Sequence, residues 1–431
     1  MNMNTLLLIL TPLLPLLLAL PALRPRIIWP CHFALLPALI LASLPTDVSI
    51  ELPWLLLGGG LGADATSRLF LAMAVLLWGS AAALLPVAKD DRLTTFLLLT
   101  LTGNLGVILA TDLVVFFACL VLMGYAFYGL LITAGDEGIR RAARRYLLVL
   151  ILSDLLLFEA LLIAAAMTET LGFEAVRQAI AQSPSSAWYL AMVLAGFAAR
   201  AAIWPLHVWL PLLVASSRPA LAMLLGGVPV AIALLGIVRW LPLGEITSPN
   251  IGLVIQGVGV VAMLYAILVG IKRGQLAMLP VYATLFATGV FAAALGVGLS
   301  DPAAWHRYQH LIDDFIISLG VGVAVLTAII HWRHMKPPFL AAPMKSVDDT
   351  DAWFDRWTRM IIQWVTKVGF NTLPRLCDAW WAKVDRFKQP HAWQRALDTG
   401  ECYLRRWRYA TALFLLLGIV ITLIEVLVGT E

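Results

Sequence analysis

Twelve apolar runs follow one another along the chain, near residues 4–23, 27–44, 67–88, 93–111, 112–134, 145–167, 186–214, 219–240, 250–270, 275–299, 309–333 and 407–428. Each is long enough to cross about 30 Å of hydrocarbon as a helix. No water completes the bonds of backbone N–H and C=O groups there, so each run has to be helical. The sequence therefore predicts an all-α polytopic membrane protein with about twelve transmembrane helices. A composition of 61% apolar and 13% charged residues excludes a soluble globule, which would carry roughly twice that charged fraction. The first run holds Pro12, Pro15 and Pro21 and lacks a basic leader, so it is expected to stay as a first helix rather than to be cleaved.

The loops fix an orientation. Arg24 and Arg26, Lys89 and Arg92, Arg140, Arg141, Arg144 and Arg145, Arg218, Lys272 and Arg273, and Arg333 and Lys336 all fall on one side when the runs are counted. The alternate loops carry Asp47, Glu51, Glu169, Glu174 and Glu245, with Arg68, Arg177 and Arg307 as their few cations. Cationic loops stay cytoplasmic. The expectation is a multi-pass protein of the cell inner (cytoplasmic) membrane with both termini outside. A net charge of +4 spread over such loops speaks to topology, not to nucleic acid.

The seventh run is broken. Residues 200–211, RAAIWPLHVWLP, place a cation, Pro205, a histidine and Pro211 inside apolar sequence. Each proline removes a backbone donor and crowds the turn before it, and the carbonyls so freed need protein or a hydrated cavity beside them. Arg200 is a candidate proton-path element, with pairing to a carboxylate or to those carbonyls as the structural alternative. His207 titrates near neutrality and could shuttle protons or cap the broken helix. Asp154 and Glu159 lie in the sixth run, SDLLLFEALLIA. Five residues rotate a helix by roughly 140° between them, so one is expected to face the interior and the other a neighbouring subunit. A carboxylate buried without a partner is held toward neutrality, as a proton carrier requires; pairing with Arg200 is the alternative. Asp313 and Asp314, further proton-path candidates, are read as the start of the eleventh run, close to the outer surface, where the helix dipole favours carboxylates in any case.

Other chemistry finds no residues to carry it. Cys31, Cys119, Cys377 and Cys402 share no metal-ligand or redox spacing. Gly58, Gly59 and Gly60 are expected in a loop lacking the strand and helix context of a phosphate-binding motif. No cofactor, metal or catalytic residue is assigned, so the chain is at most a non-catalytic membrane subunit of an oxidoreductase-type complex.

A change of composition divides the chain into a helix bundle over 1–335, an amphipathic segment on the cytoplasmic side over 336–406, and a last transmembrane helix over 407–431. Within 349–369, Trp353, Trp357, Ile361, Trp364 and Val365 recur at helical spacing opposite charged residues. That aromatic side is suited to the headgroup level or to neighbouring helices.

Gly196 to Pro211, GFAARAAIWPLHVWLP, resembles the broken helix of the antiporter-like membrane subunits shared by respiratory complex I, membrane-bound hydrogenases and multisubunit cation/proton antiporters, with Arg200 where that family has lysine. Residues 52–78, 103–117, 271–290 and 395–418 are similar to other stretches of the same family. The resemblance implies a midmembrane path of charged residues, a lipid-embedded chain, and a hetero-oligomeric complex with other membrane subunits as partners. This chain departs from it in four ways. Leu120 to Met123 lacks the glutamate expected at Val121, and 219–238 holds no ionisable group. His310-Leu311-Ile312-Asp313-Asp314 puts a carboxylate where a cation is usual. The family's last spans have no counterpart, since 336–406 is too polar.

His310 joins the proton-path candidates through this resemblance alone. Arginine keeps the charge of lysine but not its readiness to release a proton. The expected function is that of a membrane subunit of a multisubunit proton- or cation-translocating complex. Its alternatives are a conduction-deficient structural or docking subunit, and an energy-coupling partner in inorganic-carbon uptake.

Overall fold

The computed structural model describes residues 3–24, 29–52, 59–85, 91–134, 137–184, 186–216, 219–273 and 278–331. The amphipathic segment over 336–406 and the twelfth run lie outside the described residues.

The chain is a helical membrane protein whose described helices, apart from the short α8 between the sixth and seventh runs, follow the first eleven runs. They are α1 (Met3–Ala19), α2 (Pro30–Ala34), α3 (Leu36–Ser43), α4 (Ala65–Leu84), α5 (Asp91–Leu109), α6 (Leu113–Ala134) and α7 (Glu137–Ala165), then α8 (Phe173–Ala181), α9 (Ser186–Arg200), α10 (Trp209–Ser216), α11 (Pro219–Trp240), α12 (Pro249–Arg273), α13 (Leu279–Ser300) and α14 (Pro302–His331). Among the described residues, eight of these (α4 to α7 and α11 to α14) are long and apolar enough to cross a membrane. The second run is two helices meeting at Leu35, and the seventh is α9 and α10.

Polar residues set the helix starts. Asp64 caps α4, its Oδ1 accepting from the Ser67 N–H at 2.6 Å. Asp112 caps α6, its Oδ1 accepting from Val114 and Val115 at 3.0 and 2.9 Å. Such caps satisfy donors that the first helical turn leaves free. α14 starts at Pro302, so Asp313 and Asp314 sit well past its first turn. This corrects the expectation that they begin the helix, and the dipole argument for their placement falls with it.

Packing is closest where side chains are smallest. α12 and α13 meet through Gly252 and Gly259 on one helix and Gly289 and Gly296 on the other. A Cβ added at Gly259 would stand 2.5 Å from the Gly289 carbonyl oxygen, and one at Gly296 would stand 2.5 Å from that of Gly252. Backbones can approach this closely only at small residues, a common basis of helix association in lipid. α11 is buried almost all round, from Ala220 to Leu235 and on to Trp240. A helix without a polar face belongs in such a position.

One small sheet interrupts the all-helical expectation. β1 (Val48–Glu51) pairs antiparallel with β2 (Gly60–Ala63), Val48 opposite Ala63 and Glu51 opposite Gly60. Gly60 thus opens a strand, correcting the loop assignment. The glycines precede that strand instead of linking it to a helix, so no phosphate-binding turn results. The turn between α5 and α6 is stitched to its surroundings: Thr111 N–H donates to the Gly60 carbonyl at 3.3 Å, Gly60 N–H to Asp112 Oδ2 at 2.8 Å, and Leu113 N–H to the Leu171 carbonyl at 2.9 Å. These bonds gather the sheet, α8 and the starts of α4 and α6 at one end of the bundle, here the acidic end. Arg24, Arg92, Arg140 and Arg144 mark the opposite, basic end.

Candidate functional site

The break in the seventh run is closed by backbone bonds before any ionisable group takes part. α9 ends at Arg200, and Ala202 adopts a left-handed conformation (φ 52°). The Ile203 N–H then returns to the Ala198 carbonyl at 3.0 Å. This is a helix stop with alanine where glycine is usual. The Trp204–Pro205 peptide is cis. The Ala199 carbonyl receives the indole N–H of Trp209, the first residue of α10, at 3.0 Å. A tryptophan thus caps one of the carbonyls that the break frees. His207 lies buried in a 3-10 turn over Leu206–Val208, edge-on to Tyr265 of α12 with ring centroids 5.2 Å apart.

Arg200 turns into the bundle. It is 4% exposed and forms an ion pair with Asp154 of α7 through Nη2 and Oδ1. Its Nε donates to Ser153 Oγ at 2.9 Å, and that hydroxyl donates to the Gly196 carbonyl at 2.8 Å. Gly124 of α6 leaves room for the guanidinium, since a Cβ there would lie 3.1 Å from Nη1. Tyr125 and Tyr146 are electrostatic neighbours of both charges. The second carboxylate oxygen, Asp154 Oδ2, is buried with no hydrogen-bond partner among the described residues. In low dielectric the pair is strongly coupled, and removing one member leaves the other as an isolated buried charge.

The remaining candidates are not gathered around this pair. Glu159 is exposed on the outward face of α7, among exposed Leu155, Phe158 and Leu162. His310 and Asp314 are exposed on α14. Asp313 is half-buried at the acidic end, where its Oδ2 accepts from the Thr66 hydroxyl.

A second charged centre surrounds Asp313, and sequence reasoning missed its organiser, Arg239. From the last turn of α11 this side chain donates to the Ala110 carbonyl at 2.8 Å and to Ser67 Oγ at 2.9 Å. It also lies 3.4 Å from Asp64 Oδ1, with its guanidinium carbon 5.7 Å from the centre of the Phe173 ring. A signal was available: Asp64 three residues before Ser67 and Asp112 ahead of an apolar run are capping patterns, which place both carboxylates at one end with the close of α11. The centre borders a vestibule of about 1040 Å³ lined by Asp47, Glu51, Asp64, Asp112, Glu169, Glu174 and Asp313 against Arg177 and Arg239. Burial pushes the Asp64 carboxyl up, but Arg239 and the Ser67 N–H and hydroxyl together hold it below its ordinary value. Gln178 and Arg177 likewise lower Glu174.

Between the two centres the interior is aromatic. Phe197 lies one turn before Arg200 and Trp240 directly follows Arg239. With Phe116 they form a triad of edge-packed rings, centroids 5.6 to 6.1 Å apart. All three are fully buried.

Comparison with known proteins reaches the same architecture. The transmembrane family model of NADH:quinone oxidoreductase and Mrp antiporter subunits matches residues 110–332, which include Asp154, Arg200, Arg239 and Asp313 but not Asp64, Thr66 or Ser67. Subunit 5 of the chloroplastic NAD(P)H-quinone oxidoreductase is 30% identical over 155 residues in Nymphaea alba and 29% identical over 140 residues in Draba nemorosa. These stretches are 36% and 32% of this chain but only 20% and 18% of the relatives' length. A chain of the archaeal membrane-bound sulfane sulfur reductase superposes with a TM-score of 0.62 at 21% identity, over 75% of this chain and 57% of that one. A chain of the Mrp complex from Dietzia sp. DQ12-45-1b does so with a TM-score of 0.64 at 20% identity, over 77% of this chain and 38% of that one. The broken α9–α10 pair and its buried arginine thus lie within a family match spanning just over half of the sequence, and the chain belongs to the NADH:quinone oxidoreductase/Mrp antiporter transmembrane family.

Proposed function

We propose that this chain is a membrane subunit of a multisubunit complex that translocates protons or other cations, sited in the cell inner membrane with the acidic end outside. The observation that carries this reading is the Arg200–Asp154 pair at the helix break. Charges so costly to place in hydrocarbon are retained for a task or a partner. The acidic vestibule supports the orientation and would concentrate cations at its mouth. In this reading Asp313 collects cations at that mouth with Asp314 and His310 nearby on α14, Asp154 and Arg200 form the midmembrane charge centre, and His207 lies on the far side of the break. Glu159 faces a neighbouring subunit.

A second reading, that the chain keeps the fold without conducting, is favoured by the Phe116–Phe197–Trp240 triad. These rings offer no proton acceptor between the centres, Arg200 is a poor proton donor, and α11 has no ionisable residue before Arg239. Coupling to inorganic-carbon uptake has no observation of its own in its favour.

Proton flux in the intact native complex separates the two. The Asp154→Asn/Arg200→Gln double variant removes both charges while leaving polar side chains. Lost flux with unchanged subunit composition supports a conducting chain; unchanged flux makes it a scaffold.

A further inference from the structure

α14 is 30 residues long, whereas a helix needs only about 20 residues to cross the hydrocarbon. Any stretch of that shorter length between Pro302 and Ile329 includes residues 310–321. On this helix Leu311, Asp314, Ser318, Gly322 and Val325 are exposed at three- and four-residue steps, so they share one outward face. Asp313 turns the other way, to the Thr66 hydroxyl. A Cβ added at Gly322 would meet nothing within 4 Å.

α12 shows the contrast. Its exposed large side chains are Leu253, Val260, Val261, Leu264, Ile267 and Leu268, a surface suited to acyl chains. A carboxylate and a hydroxyl on the outward face of α14 are costly against lipid and call for protein. Arg307, nearer the acidic end, is already answered by Asp301 at 3.9 Å. Asp314 has no hydrogen bond or ion pair among the described residues, so it is the charge on this face that needs a counterpart.

Charge also decides the occupant. Two copies meeting through α14 about a two-fold axis would bring Asp314 against Asp314 at one depth. Residues 409–428 of this chain hold Glu425 as their single charge, so they too would add a carboxylate. We propose that the outward face of α14 docks a transmembrane helix of a different subunit, one that brings a lysine or arginine level with Asp314 and packs closely at Ser318 and Gly322. A cation there completes a charge-assisted hydrogen bond, and small residues let two helix backbones approach in lipid. The contact presupposes that the chain is one subunit of a complex; conduction has no part in it.

The test compares Asp314→Leu, Gly322→Leu and Gly257→Leu in the complex purified from native membranes through a tag on this chain, with co-purified subunits quantified by mass spectrometry. The first two variants should each lose the same subunit, by about tenfold or more, and the transmembrane sequence of that subunit should hold a lysine or arginine. Gly257→Leu, on the apolar side of α12 with equally open space, should keep every partner. Each isolated variant chain should unfold at the temperature of the unaltered one, which separates release from loss of fold. Asp314→Asn, of unchanged size, should lose the same subunit and serves if a leucine variant does not fold. Retention of every subunit in the Asp314 and Gly322 variants overturns the proposal, as does equal loss in Gly257→Leu or release of a subunit without a basic residue in its spans. An unaltered chain that purifies alone would overturn the complex itself and this contact with it.

Discussion

Arg200 and Asp154 face each other across α9 and α7 as a buried ion pair in which one carboxylate oxygen, Oδ2, has no hydrogen-bond partner among the described residues. Asp154→Ala should therefore leave a guanidinium held only by Ser153 and cost about 3–5 kcal/mol, whereas Asp154→Leu/Arg200→Met should be close to neutral. Thermal unfolding in detergent, followed by loss of the monodisperse species, measures the cycle. Additive effects of the two single changes would show that the residues are not coupled.

The helix break is held by a conformation that alanine tolerates poorly and by one indole. Ala202→Gly should stabilise the protein by up to about 1 kcal/mol, and Ala202→Val should destabilise it by more than that. Trp209→Phe keeps the packing but orphans the Ala199 carbonyl, at about 1–3 kcal/mol. The same unfolding assay ranks the three, and a loss of stability in Ala202→Gly would refute the strained stop.

Asp64 gives the acidic end a pH dependence with a defined sign. Its carboxyl is held below the ordinary value of 3.8 in the folded protein. Its contribution is therefore fully present above that value and fades as pH falls through the lower, folded one. Asp64→Asn and Arg239→Gln should each flatten the fall in unfolding temperature below about pH 4. An unchanged acid limb in Arg239→Gln would separate Asp64 from its guanidinium.

Gly259 and Gly296 allow α12 and α13 to touch. Gly259→Leu should force the helices apart and destabilise the bundle by more than the 1–3 kcal/mol or so typical of overpacking, while Gly257→Leu, where the space beside the residue is open, should cost little. Similar melting temperatures for the two variants would contradict the close approach.

Glu159 lies on an outward surface of leucine and phenylalanine, and exposure to acyl chains would penalise its charge. Glu159→Leu should leave the isolated chain as stable or more stable, yet release it from its membrane partners. Blue-native electrophoresis reads both. Retention of the whole assembly would place Glu159 outside the subunit interface.

How far the sequence could be read depended on the distance over which a feature is decided. Apolar length and proline placement are local, so the first eleven runs and the break at Pro205 were legible. The partner of Arg200 lies 46 positions earlier in the chain, and only the packing of α9 on α7 selects Asp154 over Glu159. The hairpin was missed because β1 and β2 are four residues each and β2 is half glycine, held by the α5–α6 turn more than by strand propensity. α14 starts at Pro302 because a proline in the first turn costs no backbone bond, and the polar residues up to His310 hid that start. Arg239 was passed over as the end of an apolar run, although its partners come from α4 and from the turn after α5.

The aromatic triad bears on more than proton transfer. A voltage across a membrane protein falls most steeply where the dielectric is lowest, and fully buried rings between two charged centres form such a layer. Each elementary charge moved across the full membrane gains or loses about 2.3 kcal/mol per 100 mV. The largest share of that work would fall between Phe197 and Trp240, so this thin stack would act as the electrical insulator of the bundle, with Arg239 and Arg200 as its two terminals.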